Sequence, residues 1–315
     1  MSSTASTIQG SYERGEPWFD DGNIILQAGS TRFRVYRGAL ALNSPVFASS
    51  FPRNSRATHV PSSTAVYRLQ DQPDELQHFL KALFIPGHYE KKVRNDFDAT
   101  VSVLRLSTKY QVKYFRQDIV AQLSLAYPTV LQSWDNRSSI SLRTPFLLER
   151  APEILRLARD TDIRALIPAA MLACCSNSLE TIMDGLSLSA DDVETCILGR
   201  ERILEAWRSK IFSERQLVSS GPGFVLSRHI PCDSARLRWL YREDVWEMAF
   251  GYDWFDPLRK EYPSLVPGMC AACQKAFSTG FDRARAQIWA DLPGYFGLPE
   301  WSVLRTELDE ILKEA

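Results

Sequence analysis

Long hydrophobic runs are missing from this sequence, and so is an excess of charge of either sign. No apolar stretch approaches the roughly 20 residues that a membrane-spanning helix needs. Lys and Arg total 37 against 38 Asp and Glu, which leaves a formal net charge of −1. Nucleic-acid binding usually depends on a basic excess or stripe that contacts phosphates, so we expect neither a nucleic-acid partner nor a membrane.

The N-terminal residues lack the apolar core of a secretory signal. Residues 1–10 are rich in Ser and Thr and contain one large aliphatic residue, Ile8. We therefore expect a cytoplasmic or nuclear protein. In such a reducing compartment, the six cysteines are expected to be free thiols or metal ligands rather than disulfides.

Signatures of catalysis are also absent. The sequence contains no G-x-S-x-G, no G-x-x-x-x-G-K-[ST], no G-x-G-x-x-G and no H-E-x-x-H. The four histidines are scattered, and their spacing suggests no pairing of a nucleophile with a base. The sequence therefore predicts a protein that is not an enzyme and has no small-molecule substrate.

Enough apolar sequence is present to build globular domains. Hydrophobic residues make up 45% of the 315 residues and charged residues 24%, the balance of an ordinary globular protein. A chain of this length is expected to form two or three compact units.

The first half alternates strand and helix patterns. Two β-prone runs, 23–28 and 31–36, flank Gly29-Ser30 and predict a hairpin, and 65–69 predicts a third strand. Ser44-Pro45 is typical of a helix start, because Ser caps free amides and Pro suits the first turn. Asp71 is expected to cap a helix that begins near Pro73 and ends at Pro86-Gly87. Two more helices are predicted over 97–110 and 113–126.

This order of elements resembles the BTB/POZ domain. In that family an Asp precedes the first strand, the second strand carries F-x-[AV]-[HY]-[KR], and a Leu-rich helix is followed by S-P-x-F. The matching residues here are Asp21, then Phe33-Arg34-Val35-Tyr36-Arg37, then Leu40, then Ser44-Pro45-Val46-Phe47. The likeness covers about residues 18–127, and the opening Trp-Phe-Asp-Asp-Gly-Asn is similar to fungal BTB-domain proteins. Tyr36 stands where the family usually has His.

The resemblance implies an α+β fold, a three-stranded sheet with clustered helices, followed by a mainly α-helical second half. It also implies association with another protein, either a second copy or a cullin scaffold of a ubiquitin ligase. Asp21 and Arg37 match positions that form a charged protein-binding pocket in family members; alternatively, they only pin the first strand to the first helix. Many relatives exchange an N-terminal strand in a dimer, but we predict no strand before residue 18.

Composition suggests the remaining boundaries. Residues 1–17 are predicted to be a disordered leader and 128–146, with its prolines and polar run, a linker. Residues 147–210 are predicted to be a helical extension stacked on the BTB-like helices. Residues 211–315 form a Trp/Cys-rich helical region.

Two short motifs predict a metal site in this last region. His229-Ile230-Pro231-Cys232 and Cys270-Ala271-Ala272-Cys273 give H-x₂-C followed by C-x₂-C. The two ligands of each pair can bind the same ion. The two pairs together therefore supply the four ligands of one tetrahedral, structural Zn²⁺. Alternatively, His229 is a loop residue and the cysteines simply pack. Cys174, Cys175 and Cys196 lie among apolar residues at helical spacing and are predicted to be core thiols.

Aromatic residues are also concentrated near the C-terminus. Five of the eight tryptophans lie past residue 235 and indicate a hydrophobic core, or else an exposed recognition patch. The function that these observations favour is non-catalytic protein–protein interaction through a BTB-like domain. The alternative is a transcriptional regulator with a zinc-stabilised C-terminal region.

Overall fold

The computed structural model describes residues 12–51, 64–137, 145–184, 188–211, 256–260 and 267–313, together with 232, 234, 235 and 238. The chain forms two compact units. One comprises residues 1–122 with 311–315, and the other comprises residues 123–310. The predicted α+β class is confirmed. Among the helices that the structure describes, none has both the length and the apolarity to cross a membrane.

The first unit contains a four-stranded mixed sheet. Its strands are β1 (Glu13–Trp18), β2 (Ile24–Ala28), β3 (Thr31–Val35) and β4 (Val66–Leu69), in the spatial order β1-β3-β2-β4. The predicted hairpin is present, because β2 and β3 pair antiparallel with Leu26 opposite Phe33. Gly29 supports its two-residue turn with a φ of +53°, where a side chain would be strained.

The sheet has one strand more than the sequence predicts. Strand β1 pairs parallel with β3, and all of its residues except Trp18 lie in the segment predicted to be a disordered leader. Its buried positions are Gly15 and Pro17, so the strand lacks the apolar alternation that usually marks one. A Cβ on Gly15 would lie 2.4 Å from the Phe33 ring, so this close strand approach requires glycine.

Six α-helices are described in this part of the chain. They are α1 (Arg37–Asn43), α2 (Pro45–Ser50), α3 (Pro73–Phe84), α4 (His88–Lys91), α5 (Phe97–Lys109) and α6 (Lys113–Ala126). Ser44 caps α2 as predicted, since its Oγ accepts a hydrogen bond from the Phe47 amide at 3.1 Å. The core comprises fully buried residues of the sheet, α3 and α5: Leu26, Phe33, Leu76, Phe79, Leu80, Val103 and Leu104.

The prediction that Asp71 caps α3 is wrong. The residue at the N-cap position is Gln72, and its side chain makes no capping hydrogen bond. Asp71 instead accepts hydrogen bonds from the Lys109 ammonium, at 2.5 Å, and from the Tyr110 hydroxyl. A buried carboxylate gains more from these charged and polar donors than from a neutral cap.

The part of the second unit that the structure describes is helical. Its described helices are α7 (Leu131–Asp135), α8 (Pro145–Leu148), α9 (Ala151–Asp160), α10 (Ile167–Cys175), α11 (Leu179–Asp184), α12 (Ala190–Ile211), α13 (Ala271–Tyr295) and α14 (Trp301–Lys313). Helix α7 lies inside the interval predicted as a linker. Ser189 caps α12, because its Oγ accepts a hydrogen bond from the Asp192 amide at 3.1 Å. The predicted stacking of 147–210 on the first unit's helices stays a prediction.

Tryptophans form part of the second unit's core. Trp289 stacks on Trp301 with ring centroids 5.6 Å apart, and Trp134 lies 5.5 Å from Trp289. Trp207 is fully buried and donates to the Pro257 carbonyl at 3.1 Å. Of the five tryptophans past residue 235, Trp289 and Trp301 therefore have the core role that was one of the two alternatives. Trp239, Trp246 and Trp254 lie outside the described residues.

Candidate metal centre and binding cleft

Three of the four predicted metal ligands lie together in the second unit. Cys270 is the N-cap residue of α13, and Cys273 follows three positions later on the same face of the helix. Cys232 belongs to a separate segment of the chain, has helical backbone and is buried. The three Sγ atoms all lie within 4.8 Å of one another. We refer to Cys232, Cys270 and Cys273 as the thiol cluster.

Local geometry explains how the two segments meet. Gly268 has a φ of +87° and turns the chain two residues before Cys270. A Cβ on this glycine would lie 3.6 Å from the Ala235 Cβ, so the chain here passes close to the segment that carries Cys232. The Cys270 amide then donates a hydrogen bond to the Cys232 Sγ at 3.2 Å. The first turn of a long helix thus points a backbone amide at the sulfur of Cys232.

The electrostatics of the cluster favour a cation. Loss of solvent, together with the neighbouring Cys270 and Cys232 sulfurs, raises the pKa of Cys273 to about 12. Several thiolates this close would repel one another unless a positive ion lay among them. None of the three cysteines forms a disulfide.

The spacing fits a tetrahedral thiolate site. Zinc–sulfur bonds of about 2.3 Å at tetrahedral angles place ligand sulfurs about 3.8 Å apart. The separations in the cluster, up to 4.8 Å, require the sulfurs to move inward by about 1 Å at most. Within the described residues, this is the only group of three or more His, Cys, Asp or Glu side chains close enough to hold an ion. His229, the fourth predicted ligand, lies outside those residues.

The other three cysteines are core thiols, as predicted. Cys174, Cys175 and Cys196 are fully buried. The Cys175 thiol donates to the Cys196 carbonyl at 3.4 Å, and the Cys196 sulfur lies 3.4 Å from the Met171 sulfur. Contact with the Cys196 sulfur and burial raise the pKa of Cys174 and Cys175. Complete burial makes all three thiols part of the apolar core.

Asp21 and Arg37, predicted to bind protein, have local partners in the first unit. The Asp21 carboxylate accepts from the Tyr36 hydroxyl at 2.6 Å, which raises the pKa of Tyr36. The Arg37 amide donates to the Asn23 side chain at 2.8 Å, and its guanidinium lies 5.8 Å from the Phe51 ring centroid. Their role in protein binding stays a prediction.

A cleft of about 320 Å³ opens in the first unit between the end of α3, helix α4 and the start of α6. We call it the helix cleft. Two apolar side chains on its rim face solvent: Tyr114 is 60% exposed and Ile85 is 40% exposed. The cleft is lined by Asn43, Ala82, Leu83, Phe84, Ile85, Pro86, Gly87, Tyr89, Glu90, Val112, Tyr114 and Phe115. Sequence patterns did not reveal it, because its residues come from three separate segments.

Hydrogen bonds fix the floor of the helix cleft. Tyr89 is buried and stacks on Phe115 with ring centroids 4.7 Å apart. Its hydroxyl donates to Asp118 at 2.7 Å, and Arg94 holds the same carboxylate with two hydrogen bonds. Burial and the hydrogen bond to Asp118 raise the pKa of Tyr89, so the phenol stays neutral.

A second cleft, of about 710 Å³, lies between β1 and the end of α3. Charged groups at this cleft are paired with one another. Lys81 contacts Glu16 at 2.8 Å, and Arg14 contacts Asp20 at 3.7 Å. The helix cleft differs, because Glu90 is its one charged lining residue and has no ion pair among the described residues.

Comparison with models of protein families and with curated proteins finds no match to this chain. The chemistry of the thiol cluster and the shape of the helix cleft therefore carry the functional argument.

Proposed function

We propose that this chain is a non-catalytic protein-interaction molecule whose first unit binds protein through the helix cleft. The observation that carries this proposal is an apolar rim exposed to solvent above an immobilised aromatic floor. Exposed aromatic side chains over a rigid surface are typical of the residues that dominate interface energies. The resemblance to BTB/POZ domains supports the same function.

The resemblance also indicates which partners to test. A second copy of the chain and a cullin scaffold are the two proteins that it implies, and binding to a cullin would make this chain a ubiquitin-ligase adaptor. Light scattering over a range of concentrations measures self-association of the purified full chain. Titration against a purified cullin measures the second interaction.

Two variants on helix α6 connect any association to the cleft. Tyr114→Ala removes an exposed rim side chain, and we expect it to weaken association by at least about tenfold. Leu125→Ala is the matched control: Leu125 is 58% exposed, against 60% for Tyr114, and does not line the cleft. Two results would contradict the proposal. In one, the natural chain stays monomeric and binds no cullin; in the other, the Tyr114→Ala variant associates as strongly as the natural chain.

We further propose that the thiol cluster holds one structural zinc ion in the second unit. Three sulfurs within reach of one ion and an amide aimed at one of them support this proposal. With a fourth protein ligand the shell is closed, so zinc would link the start of α13 to the segment around Cys232 without taking part in a reaction.

Metal analysis of the purified chain tests the zinc proposal. We expect one zinc per chain, and none in Cys270→Ser. Cys174→Ala is the control, because it removes a thiol outside the cluster and should retain the metal. If the natural chain contains no metal after purification in a zinc-containing buffer, the zinc proposal is wrong.

The alternative function, a transcriptional regulator, draws on the same thiol cluster. Direct DNA contact requires positive charge, and the chain has nearly equal numbers of basic and acidic residues. Salt-dependent binding of the purified chain to duplex DNA would favour this alternative.

A further inference from the structure

We infer that the helix cleft takes a segment of a partner protein that places one large apolar side chain beside a lysine or arginine. The inference rests on the proposed function and specifies the chemistry of the partner. Three properties of the cleft lead to it: its size, its lining and its electrostatics.

The size of the cleft favours a few side chains of a larger partner. About 320 Å³ is at the lower end of the range for small-molecule pockets, which is roughly 300–1,000 Å³. Leu42, the residue before the lining residue Asn43, is a further exposed apolar side chain, with 86% of its surface open to solvent. A partner that covers Leu42 as well as the cleft gains more buried apolar area than a small ligand can.

The lining selects the apolar side chain. Tyr89 and Phe115 stack at the floor, and Tyr114 lies with its ring centroid 5.3 Å from that of Phe115. Because Asp118 holds the Tyr89 hydroxyl, the floor is already ordered before a partner binds. An inserted aliphatic or aromatic side chain therefore meets aromatic surface without the cost of ordering it.

Electrostatics select the basic residue. Glu90 is exposed and is the one charged residue that lines the cleft. Ala82, Leu83 and Phe84, which also line it, form the last turn of α3. Lys81 also lies near this helix end, but it is paired with Glu16 at 2.8 Å. The C-terminus of a helix carries partial negative charge, so the Glu90 carboxylate and the helix end both favour a cation. An acidic partner would be repelled by the same two features.

Selection from a displayed library of random 12-residue peptides, with immobilised full-length chain as the target, tests this inference. We expect selected peptides to combine a large apolar residue with Lys or Arg, and to bind Tyr114→Ala at least about tenfold more weakly. Selection on Glu90→Lys should replace the basic residue by Asp or Glu. Selection on Glu13→Lys, an exposed acidic position outside the cleft, should return the same basic peptides as the natural chain.

The outcomes separate the inference from the function on which it rests. Peptides that depend on Tyr114 but show no basic residue overturn the inference and leave the interaction function in place. Peptides that bind Tyr114→Ala as well as the natural chain, or no enriched peptides at all, count against both.

Discussion

The backbone amide of Cys270 donates a hydrogen bond to the Sγ atom of Cys232, 3.2 Å away. These residues are far apart in sequence, so the contact closes a long loop at the start of α13. A metal bound at this point would hold that loop closed, and its binding energy would become part of the folding energy of the second unit.

The first prediction concerns His229, the predicted fourth zinc ligand. We expect His229→Ala to weaken zinc binding by at least about tenfold, because even outer-shell partners contribute this much and a direct ligand contributes more. Competition with a chromophoric chelator measures the affinity, and His59→Ala is the control. Equal affinities for His229→Ala and the natural chain would show that another group completes the shell.

Two helical glycines are expected to respond oppositely to alanine. A Cβ on Gly199 would lie 2.2 Å from the Phe296 ring, so Gly199→Ala should destabilise the second unit by about 1–3 kcal/mol. A Cβ on Gly294 would meet nothing within 4 Å, so Gly294→Ala should stabilise by about 0.4–1 kcal/mol. Urea unfolding of both variants measures the two changes, and changes of the same sign would contradict the close contact between Gly199 and the Phe296 ring.

Arg285 is expected to be a major determinant of the second unit's stability. Its guanidinium is 3% exposed and donates to Asp135 at 2.6 Å and to the Leu258 carbonyl at 2.7 Å. Arg285→Ala leaves the Asp135 carboxylate without this partner and should cost about 3–5 kcal/mol. Arg283, exposed on the same helix, is the matched control, and Arg283→Ala should change stability by less than about 0.5 kcal/mol. Similar thermal midpoints for both variants would disprove this role.

The N-cap of α5 should make stability depend on pH. Asp96 accepts from Lys92 at 2.6 Å and from the Ala99 amide at 2.9 Å, and both contacts lower its pKa from an ordinary value of 3.8. A carboxyl whose pKa is lower in the folded chain stabilises the fold above its unfolded pKa, and this contribution is lost as the pH falls.

Asp96→Asn isolates this effect, because Asn keeps the cap and removes the charge. We expect the variant to be less stable than the natural chain by a few tenths to about 1 kcal/mol at pH 7. The difference should be smaller at pH 3 than at pH 7, because pH 3 lies below the ordinary carboxyl pKa of 3.8 and the stabilisation is lost as the pH falls. Urea unfolding at both pH values measures it, and a difference that stays constant with pH would rule out the charge as its source.

The sequence predicted those features of the fold that depend on near neighbours. Ser44 caps α2 because the amide that it serves is three residues away, and Gly29 turns the hairpin through its own backbone freedom. Strand β1 escaped prediction since Gly15 and Pro17 are poor strand formers. Strand β1 is stabilised by its pairing with β3, and a local sequence pattern cannot predict that pairing.

In the candidate sites, too, the sequence predicted contacts between near neighbours better than contacts between distant segments. The H-x₂-C and C-x₂-C motifs predicted that Cys232, Cys270 and Cys273 belong to one site, and tertiary packing brings their Sγ atoms within 4.8 Å of one another. Asp71 was expected to cap α3, but its partners, Lys109 and Tyr110, lie almost forty positions away. The helix cleft combines three segments, and the exposure of Tyr114 depends on how those segments pack.

Strand β1 has a practical consequence for dissecting this protein. A shortened chain that begins at residue 18, as composition alone would recommend, would leave the backbone edge of β3 without its parallel neighbour. The Phe33 ring, fully buried in the intact chain, would lose the cover of Gly15. Such a fragment would present a bare hydrogen-bonding edge next to an aromatic side chain, and its tendency to aggregate could be mistaken for natural oligomerisation.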